Sequence, residues 1–485
     1  MSLARVANVV GLLQVFVSLS MFFAAGVAFV YGDGDAVGIL LAGLLTFFVG
    51  GFTYRITMFE GDLTPREGFV IVTMAWTATA VFGALPYLFT GALDAPLAAF
   101  FEAMSGFTTT GATMFADIES LPHGVLFWRS LTQWLGGMGI IVLVIAVLPY
   151  LGVGGMQLFK AEVPGPTPER LRPRITQTAK LLWLVYVGLT AAEAALYLFG
   201  GMSLFDAVNH SFTTLATGGF STRNASLASF DSAYIHWVTI VFMYLAGVNF
   251  SLHFRAATGR PVYFRDREWR FYTAIVLVAS LTIAVLNLAS GSYAAVEPAV
   301  RDAVFQATSI TTTTGFVSAD YTSWLPGAQM TLLALFFVGG MAGSTGGGIK
   351  TMRILLVVKQ TANELRKHLH PRAVLLTRVG QKTVKQEVLA NVTGFVILYL
   401  LLCLAGAIVL SLLGMDLLTA ITASMSTVGN VGPGFADVGP TDSYGWMSHS
   451  ALAVLSFLML VGRLEIYTVL LLFHPETWKS RRSSH

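Results

Sequence analysis

Long apolar runs alternate along the chain with shorter, more polar inserts. A helix needs roughly 20 apolar residues to cross the hydrocarbon core of a bilayer. Ten runs meet this need, near 8–31, 37–53, 69–90, 129–151, 181–200, 233–253, 271–290, 328–357, 388–413 and 449–473. Four inserts are rich in Ser and Thr and are too short and polar to cross, near 97–110, 205–218, 301–314 and 418–431. The pattern predicts an all-α polytopic membrane protein.

The four inserts align with one another without gaps, as copies of one repeat. A glycine column contains Gly111, Gly219, Gly315 and Gly432. The column six positions earlier contains Ser105, Thr213, Ser309 and Ser426, and the column two positions earlier contains Thr109, Thr217, Thr313 and Asn430. The chain is therefore interpreted as two leading helices and four units of span, insert and span. The ranges are 1–68 for the leading helices and 69–160, 161–260, 261–387 and 388–485 for repeats 1 to 4.

Each insert is expected to enter the membrane from the outside and to return to the same side. Non-helical backbone is tolerated at membrane depth only where protein buries it or water lines it. Glycine allows left-handed backbone angles, and consecutive carbonyl groups can replace the hydration shell of an ion. The carboxyl ends of four short helices would add negative potential at the same place. The repeat therefore predicts a cation pore in pseudo-fourfold arrangement around one axis.

Composition and charge support this interpretation and give an orientation. Of the 485 residues, 55% are hydrophobic and only 11% are charged, which excludes a soluble enzyme. Lys and Arg accumulate on cytoplasmic loops. With both termini in the cytoplasm, the Lys and Arg residues fall on that side except Arg129, Arg223, Arg301 and Arg463. On this map, 14 of the 26 acidic residues lie outside, where they either line a mouth that concentrates cations or are ordinary solvated loop residues.

A glycine-rich stretch interrupts the second span of repeat 3. Six of the ten residues from Gly339 to Gly348 are glycine, and each costs a helix about 1 kcal/mol relative to alanine. The helix should break here, and the broken stretch should line the pathway below the inserts. The alternative is close helix packing through small residues.

Arg463 is the one cation deep within an apolar span. Such charges are costly in a membrane and face a cavity or a partner. On the axis Arg463 would raise the barrier for cations; the alternative is a structural pair with Glu465 or with carbonyl groups of the glycine-rich loop. Lys350 either assists from the cytoplasmic side or anchors the chain at the interface.

Several motifs resemble those of one family. These are TTTGAT from Thr108, ATGGFST from Ala216, TTTTGF from Thr311, NVGPGF from Asn430, WLGGMGI from Trp134 and the run GGMAGSTGGGIK. Together they resemble the membrane subunits of bacterial Trk/Ktr potassium uptake systems, those of the TrkH type in particular. The resemblance covers essentially the whole chain and implies a channel-like, gated potassium pathway. With Gly111 in the first repeat, it favours potassium, with rubidium as a further ion, over sodium.

The resemblance also implies roles for individual residues. It assigns a selectivity filter, which binds K+ through backbone carbonyls, to Thr109, Thr110, Gly111, Thr217, Gly218, Gly219, Thr313, Thr314, Gly315, Asn430, Val431 and Gly432. No filter segment carries the TVGYG of potassium channels, so only moderate selectivity is expected. The resemblance assigns a gate to Gly343, Ser344, Thr345, Gly346, Gly347, Gly348 and Arg463, with Lys350 as an assisting residue.

The resemblance further implies a homodimer in the bacterial inner membrane. It implies a cytosolic regulatory subunit of the TrkA type that binds nucleotides. No enzyme motif, cofactor or nucleic-acid partner is predicted for the chain itself. Two alternatives stay open: a proton- or sodium-coupled symporter, with Glu193 and Glu465 as candidate carboxylates, and a binding module whose basic cytoplasmic face meets anionic membrane lipids.

Overall fold

The computed structural model describes residues 2–58, 65–146, 171–259, 262–373, 375–380 and 382–478. This part of the chain is mostly helical, as the apolar runs predict. Two antiparallel leading helices, α1 and α2, pack against each other, and α1 also contacts the first and last long helices of repeat 1. The leading helices are α1 (Leu3–Tyr31) and α2 (Ala36–Ile56).

Each repeat contains an outer span, a short helix and an inner span. Repeat 1 contains α3 (Pro65–Gly83), α4 (Leu85–Phe89), the short helix α5 (Pro96–Phe107) and α6 (His123–Ala146). Repeat 2 contains α7 (Leu171–Phe199), the short helix α8 (Leu204–Leu215), α9 (Ala233–Ala246) and α10 (Phe250–Ala257).

Repeats 3 and 4 have the same plan. Repeat 3 contains α11 (Arg267–Ala289), the short helix α12 (Val296–Thr311), α13 (Pro326–Leu335) and α14 (Thr351–Leu369). A two-stranded antiparallel hairpin follows, with β1 (Arg378–Val379) and β2 (Lys382–Thr383). Repeat 4 contains α15 (Gln386–Leu412), the short helix α16 (Leu417–Gly429), α17 (His449–Arg463), α18 (Tyr467–Leu470) and the terminal α19 (Pro475–Trp478).

Two of the short helices begin at residues whose side chains cap them, and all four lie in the protein interior. Ser203 accepts a hydrogen bond from the amide of Asp206, and Asp416 accepts from the amides of Leu418 and Thr419. Such side chains satisfy amide groups that a helix N-terminus leaves free. Pro96 begins the short helix of repeat 1, where its missing N–H costs nothing. The outer spans, in contrast, expose many large apolar side chains and so present a surface suited to lipid.

Six described helices are long and apolar enough to cross a membrane, and eight spans result if two bent helix pairs are each counted once. The two bent pairs correct the sequence prediction. Runs 233–253 and 449–473 are not single straight spans, because the chain turns by 103° after Ala246 and by 112° after Arg463. At the second bend Glu465 and Ile466 both have left-handed backbone. The other two predicted spans correspond to α6 and to the pair α13 and α14.

The predicted break in repeat 3 is confirmed. Helix α13 ends at Leu335, helix α14 begins at Thr351, and residues 336–350 form an irregular loop. The predicted boundary between repeats 1 and 2, much of the basic cluster Lys160 to Lys180, and the cluster Lys479 to Arg482 lie outside the described residues.

Candidate functional site: four turns around one centre

All four short helices end in the same hydrogen-bonded turn. In repeat 1 the amide of Thr109 donates to the carbonyl of Gly106 (3.0 Å), and the amide of Thr110 donates to that of Ser105 (2.9 Å). This pair of bonds is a Schellman motif, which satisfies carbonyl groups left free at a helix C-terminus. In every repeat the second bond is accepted by the backbone carbonyl of the residue in the hydroxyl column of the sequence alignment, at Ser105, Thr213, Ser309 and Ser426.

Two residues in every turn have left-handed backbone. The four column glycines have φ between 77° and 102°, and the residues two positions earlier have φ between 53° and 61°. Three of these earlier residues, Thr109, Thr217 and Thr313, are β-branched, for which this conformation is an outlier. Such residues cost about 1–3 kcal/mol each and concentrate at functional sites. All three threonines and Asn430 are fully buried.

The four turns close a ring. Each column glycine lies so close to the next repeat that an added methyl group would be 2.0–2.5 Å from a backbone carbonyl oxygen there. The oxygen always belongs to the residue immediately before the next column glycine. The pairs are Gly111 with Gly218, Gly219 with Thr314, Gly315 with Val431, and Gly432 with Thr110. Because the last pair returns from repeat 4 to repeat 1, the four segments surround a common centre.

The irregular loop of repeat 3 lies directly beside these turns. The amide of Gly347 donates to the hydroxyl of Thr313 (2.7 Å). The hydroxyl of Thr345 donates to the carbonyl of Leu215 (3.0 Å), the last residue of the short helix of repeat 2. A methyl group on Gly347 would lie 2.5 Å from the carbonyl oxygen of Gly429 in repeat 4. The loop therefore contacts the turns of repeats 2, 3 and 4.

Arg463 joins this loop to the remaining repeat. Its side chain is 2% exposed, and its two terminal nitrogens donate to the carbonyl of Thr345 (2.9 Å) and to that of Gly136 in repeat 1 (3.2 Å). Of the two structural partners considered from the sequence, the loop carbonyl is the one observed. Glu465 instead forms an ion pair with Arg353, with a shortest N–O distance of 2.5 Å.

Lys350 ends the loop and also holds it. Its ammonium group donates to the carbonyls of Ser344 and Gly346, so it folds back onto the segment that precedes it. Ser344 and Thr345 are fully buried, and Gly343 and Gly348 have left-handed backbone. All residues predicted for the gate thus belong to one cluster beside the predicted filter.

Glu102 and Arg129, both assigned to the outer side or its rim from the sequence, are not solvated there. Glu102 is fully buried on the short helix of repeat 1, and Arg129, which is 1% exposed, pairs with it at 2.8 Å. The same guanidinium donates to the hydroxyl of Thr113 (3.1 Å) and to the carbonyl of Ser221 (3.2 Å), which follow the turns of repeats 1 and 2. Neither alternative considered for the outer carboxylates, a residue lining an open mouth or a solvated loop residue, describes Glu102, because it is buried and paired with an internal cation.

Sequence reasoning misses two residues of the site. Glu268 accepts hydrogen bonds from the amides of Ala342 (2.7 Å) and Met352 (3.1 Å), on either side of the loop. Gln133 contacts the turn of repeat 2. Glu268 lies in the charged stretch 265–270 and carries no distinguishing signal, whereas the position of Gln133 directly before the motif that begins at Trp134 offers the one signal in the sequence.

The fold and the site define a multi-pass membrane protein in which four tandem helix, loop and helix repeats surround one centre. The chain belongs to the TrkH family of cation transport proteins, whose family model matches residues 39–480.

Individual relatives match over the full length. The potassium uptake protein TrkH of Salmonella typhimurium is 40% identical over 484 residues, which cover 99% of this chain and 100% of the relative. TrkH of Escherichia coli is 40% identical over 488 residues, with the same coverage. The crystal structure of the potassium transporter TrkH from Vibrio parahaemolyticus is similar to this chain with a TM-score of 0.91 at 39% identity, over 99% of this chain and 100% of that one.

Proposed function

We propose that this chain takes up potassium across the bacterial inner membrane through a gated, channel-like pore. The observation that carries the proposal is the closed ring of four turns, each with a glycine against the carbonyl of the next repeat. Backbone carbonyls in such a ring replace the hydration shell of a cation at close quarters. The filter consists of Thr109–Gly111, Thr217–Gly219, Thr313–Gly315 and Asn430–Gly432. The relatives with similar sequence are named as potassium uptake proteins.

The electrostatics of the ring suit a cation. The four short helices end at the filter segments, so the negative ends of their dipoles add to the field of the carbonyl oxygens. K+ is the transported ion here, and Rb+ is proposed as a further substrate; neither is a resident cofactor.

The loop Gly343–Gly348 and Arg463 form the gate. The loop lies beside three of the four turns, and Arg463 ties it to the fourth repeat. A fixed positive charge at the cytoplasmic side of the filter repels cations over the distance of a few ångströms, because water is largely excluded there. Lys350 adds a second positive charge close to the same carbonyls. For ions to pass, the loop must move away from the axis, and this movement breaks the hydrogen bonds that hold it.

The proposed assembly is supported by the names of the relatives and by the positive charge of the cytoplasmic loops. The relatives are named as parts of a Trk system, and the basic cytoplasmic loops offer a surface to an acidic partner or to anionic lipid. We propose a homodimer with cytoplasmic termini, regulated by a nucleotide-binding cytosolic subunit of the TrkA type.

Uptake by proteoliposomes tests this function. Vesicles loaded with K+ and containing the purified protein should accumulate tracer Rb+ from outside, and external K+ should suppress the uptake more strongly than Na+ does. Vesicles without protein provide the background. Uptake equal to that background, with the protein correctly inserted, would contradict the proposal.

A coupled symporter is a second candidate because of one observation. Glu193 is fully buried in the outer span of repeat 2, beside Tyr197 and Thr214, and intramembrane carboxylates often belong to proton relays. Uptake measured with and without an imposed proton gradient separates the two. Accumulation driven by the gradient, and lost in Glu193→Gln, would favour coupling.

A further inference from the structure

Gln133 makes two hydrogen bonds to the filter segment of repeat 2. Its amide nitrogen Nε2 donates to the carbonyl of Gly218 (2.7 Å), and its oxygen Oε1 accepts from the amide of Phe220 (3.0 Å). The side chain is fully buried. Gln133 therefore binds the residues on both sides of the filter glycine Gly219, and it does so from the inner span of repeat 1.

Gly218 lies against the side chain of Gln133 and, as a glycine, leaves space for it. A methyl group on Gly218 would lie 2.3 Å from the Cδ atom of Gln133. Gly218 is not among the glycines with left-handed backbone, so its backbone conformation does not require glycine. The equivalent position carries a side chain in each of the other repeats, at Thr110, Thr314 and Val431. Space for Gln133 is thus the reason that repeat 2 has two adjacent glycines.

The turns of repeats 3 and 4 are held in a different way. There the hydroxyl of the short helix donates to a carbonyl at or just after the column glycine, from Ser309 to Phe316 (2.7 Å) and from Ser426 to Gly432 (2.7 Å). In repeat 2 the corresponding hydroxyl, that of Thr213, is within hydrogen-bond distance of carbonyls of its own helix instead. Gln133 supplies the missing support from the neighbouring repeat.

We propose that Gln133 is a specificity-determining positioning residue of the filter. By holding Gly218 and Phe220 it fixes the carbonyl of Gly218 relative to Gly111 of repeat 1, which lies against the same oxygen. Selection between ions of different radius depends on how firmly such carbonyls keep their places. The inference rests on the proposed function, since it assigns a role in the same pore.

Gln133→Leu tests the role with little change in volume. The substitution removes both hydrogen bonds and leaves the buried Phe220 amide without this partner. We expect the permeability ratio of K+ to Na+ to fall by about tenfold, with Rb+ uptake normalised to the amount of protein in the membrane. The matched control is Gln14→Leu in the leading helices, where a buried glutamine donates a hydrogen bond to the hydroxyl of Thr79 (3.3 Å). The control should keep the wild-type ratio.

A double variant tests the fit between Gln133 and Gly218. Gly218→Ala alone should lower uptake, because its methyl group collides with the amide of Gln133 and pushes it off its two hydrogen bonds. Combining it with Gln133→Ala removes the collision, so the double variant should transport more than Gly218→Ala alone. This arm is decisive where Gln133→Leu does not accumulate in the membrane.

The outcomes separate the inference from the function on which it rests. Wild-type protein without K+-selective uptake would overturn the proposed function. Selective wild-type uptake with an unchanged ratio in Gln133→Leu would overturn only the role of Gln133, and so would a double variant no better than Gly218→Ala.

Discussion

At the scale of single residues, the lack of space for a side chain explains the glycines of the filter. Gly111 combines a φ of 85° with a carbonyl oxygen 2.2 Å from the place of a methyl group. Any side chain there is strained and also pushes against repeat 2. These two constraints explain why glycine occupies this position.

Gly111→Ser should therefore reduce the discrimination of K+ against Na+ and also lower total flux. The left-handed backbone alone costs a serine about 1–3 kcal/mol. The contact of the added side chain with the carbonyl oxygen of Gly218 also widens the ring at the place where the ion loses its water. Reversal potentials under bi-ionic conditions measure the ratio. Gly91→Ser is the control, because Gly91 has a φ of 72° but nothing within 4 Å of the added atom. An unchanged ratio in Gly111→Ser would remove the assignment of this segment as a filter.

Arg463→Ala should raise the rate of ion flux. The substitution removes a buried positive charge and the hydrogen bond that ties Thr345 to α17. Tracer uptake per molecule is the measurement, with Arg301→Ala on the short helix of repeat 3 as a control for loss of an arginine. The gate assignment fails if Arg463→Ala conducts no faster than the wild type.

At the scale of elements, the sequence predicts the break in the span of repeat 3 but not the bends in repeats 2 and 4. Hydropathy and glycine content predict the break in repeat 3, because six glycines in ten residues oppose a helix. The bends in repeats 2 and 4 are not predictable in this way, since each of these runs contains a single glycine, Gly247 or Gly462, and no proline. Apolar character records whether a residue avoids water and carries no information on the direction of the chain.

The four filter segments can be aligned from the sequence alone, because the same backbone turn requires the same small residues in each repeat. The support of that turn is not predictable, because it differs between repeats: the column serine supplies it in repeats 3 and 4, and Gln133 of the neighbouring repeat supplies it in repeat 2. The bonds from Gln133 to Gly218 and from Arg129 to Ser221 cross a repeat boundary, and such contacts between distant segments leave no local pattern.

Shortening the loop between Gly343 and Gly348 by two residues should increase flux. A shorter connection cannot keep Thr345 on Leu215 and Gly347 on Thr313 at once. Single-channel or tracer measurements on the deletion should give a higher rate than the wild type. A deletion in the glycine-rich loop that leaves the rate unchanged would argue for a purely structural loop.

Breaking the ion pair behind the filter should destabilise the protein. Arg129→Leu leaves the carboxylate of Glu102 buried without its cation, which costs about 3–5 kcal/mol. Thermal unfolding in detergent should therefore occur at a clearly lower temperature. The double variant Arg129→Leu with Glu102→Leu removes both charges and should recover much of the loss. Equal stability of the wild type and the single variant would show that the pair is dispensable.

At the scale of the whole molecule, the leading helices pack against repeat 1 and also make a small polar contact with it next to the loop between α1 and α2. The amide of His123 donates to the carboxylate of Asp33 (2.8 Å), and this hydrogen bond holds the pKa of Asp33 below its ordinary value of 3.8. A lowered pKa stabilises the folded state above the ordinary value, and the contribution disappears as the pH falls through the pKa of the folded protein.

Asp33→Asn should consequently lower the unfolding temperature at neutral pH and make little difference at strongly acidic pH. The gap between the two proteins should be constant above about pH 5 and should close below 3.8. A series of unfolding curves from pH 3 to pH 7 measures it. A gap that persists at the acidic end would mean that the carboxylate acts by some route other than its charge.

Because one polypeptide supplies all four quarters of the ring, the quarters are chemically independent. In a homotetramer a single codon change appears four times, whereas here it appears once. Graded series with one, two, three or four altered quarters can therefore be made in a single gene. The same independence frees each quarter to diverge under selection, which is how one quarter can carry asparagine where its three siblings carry threonine.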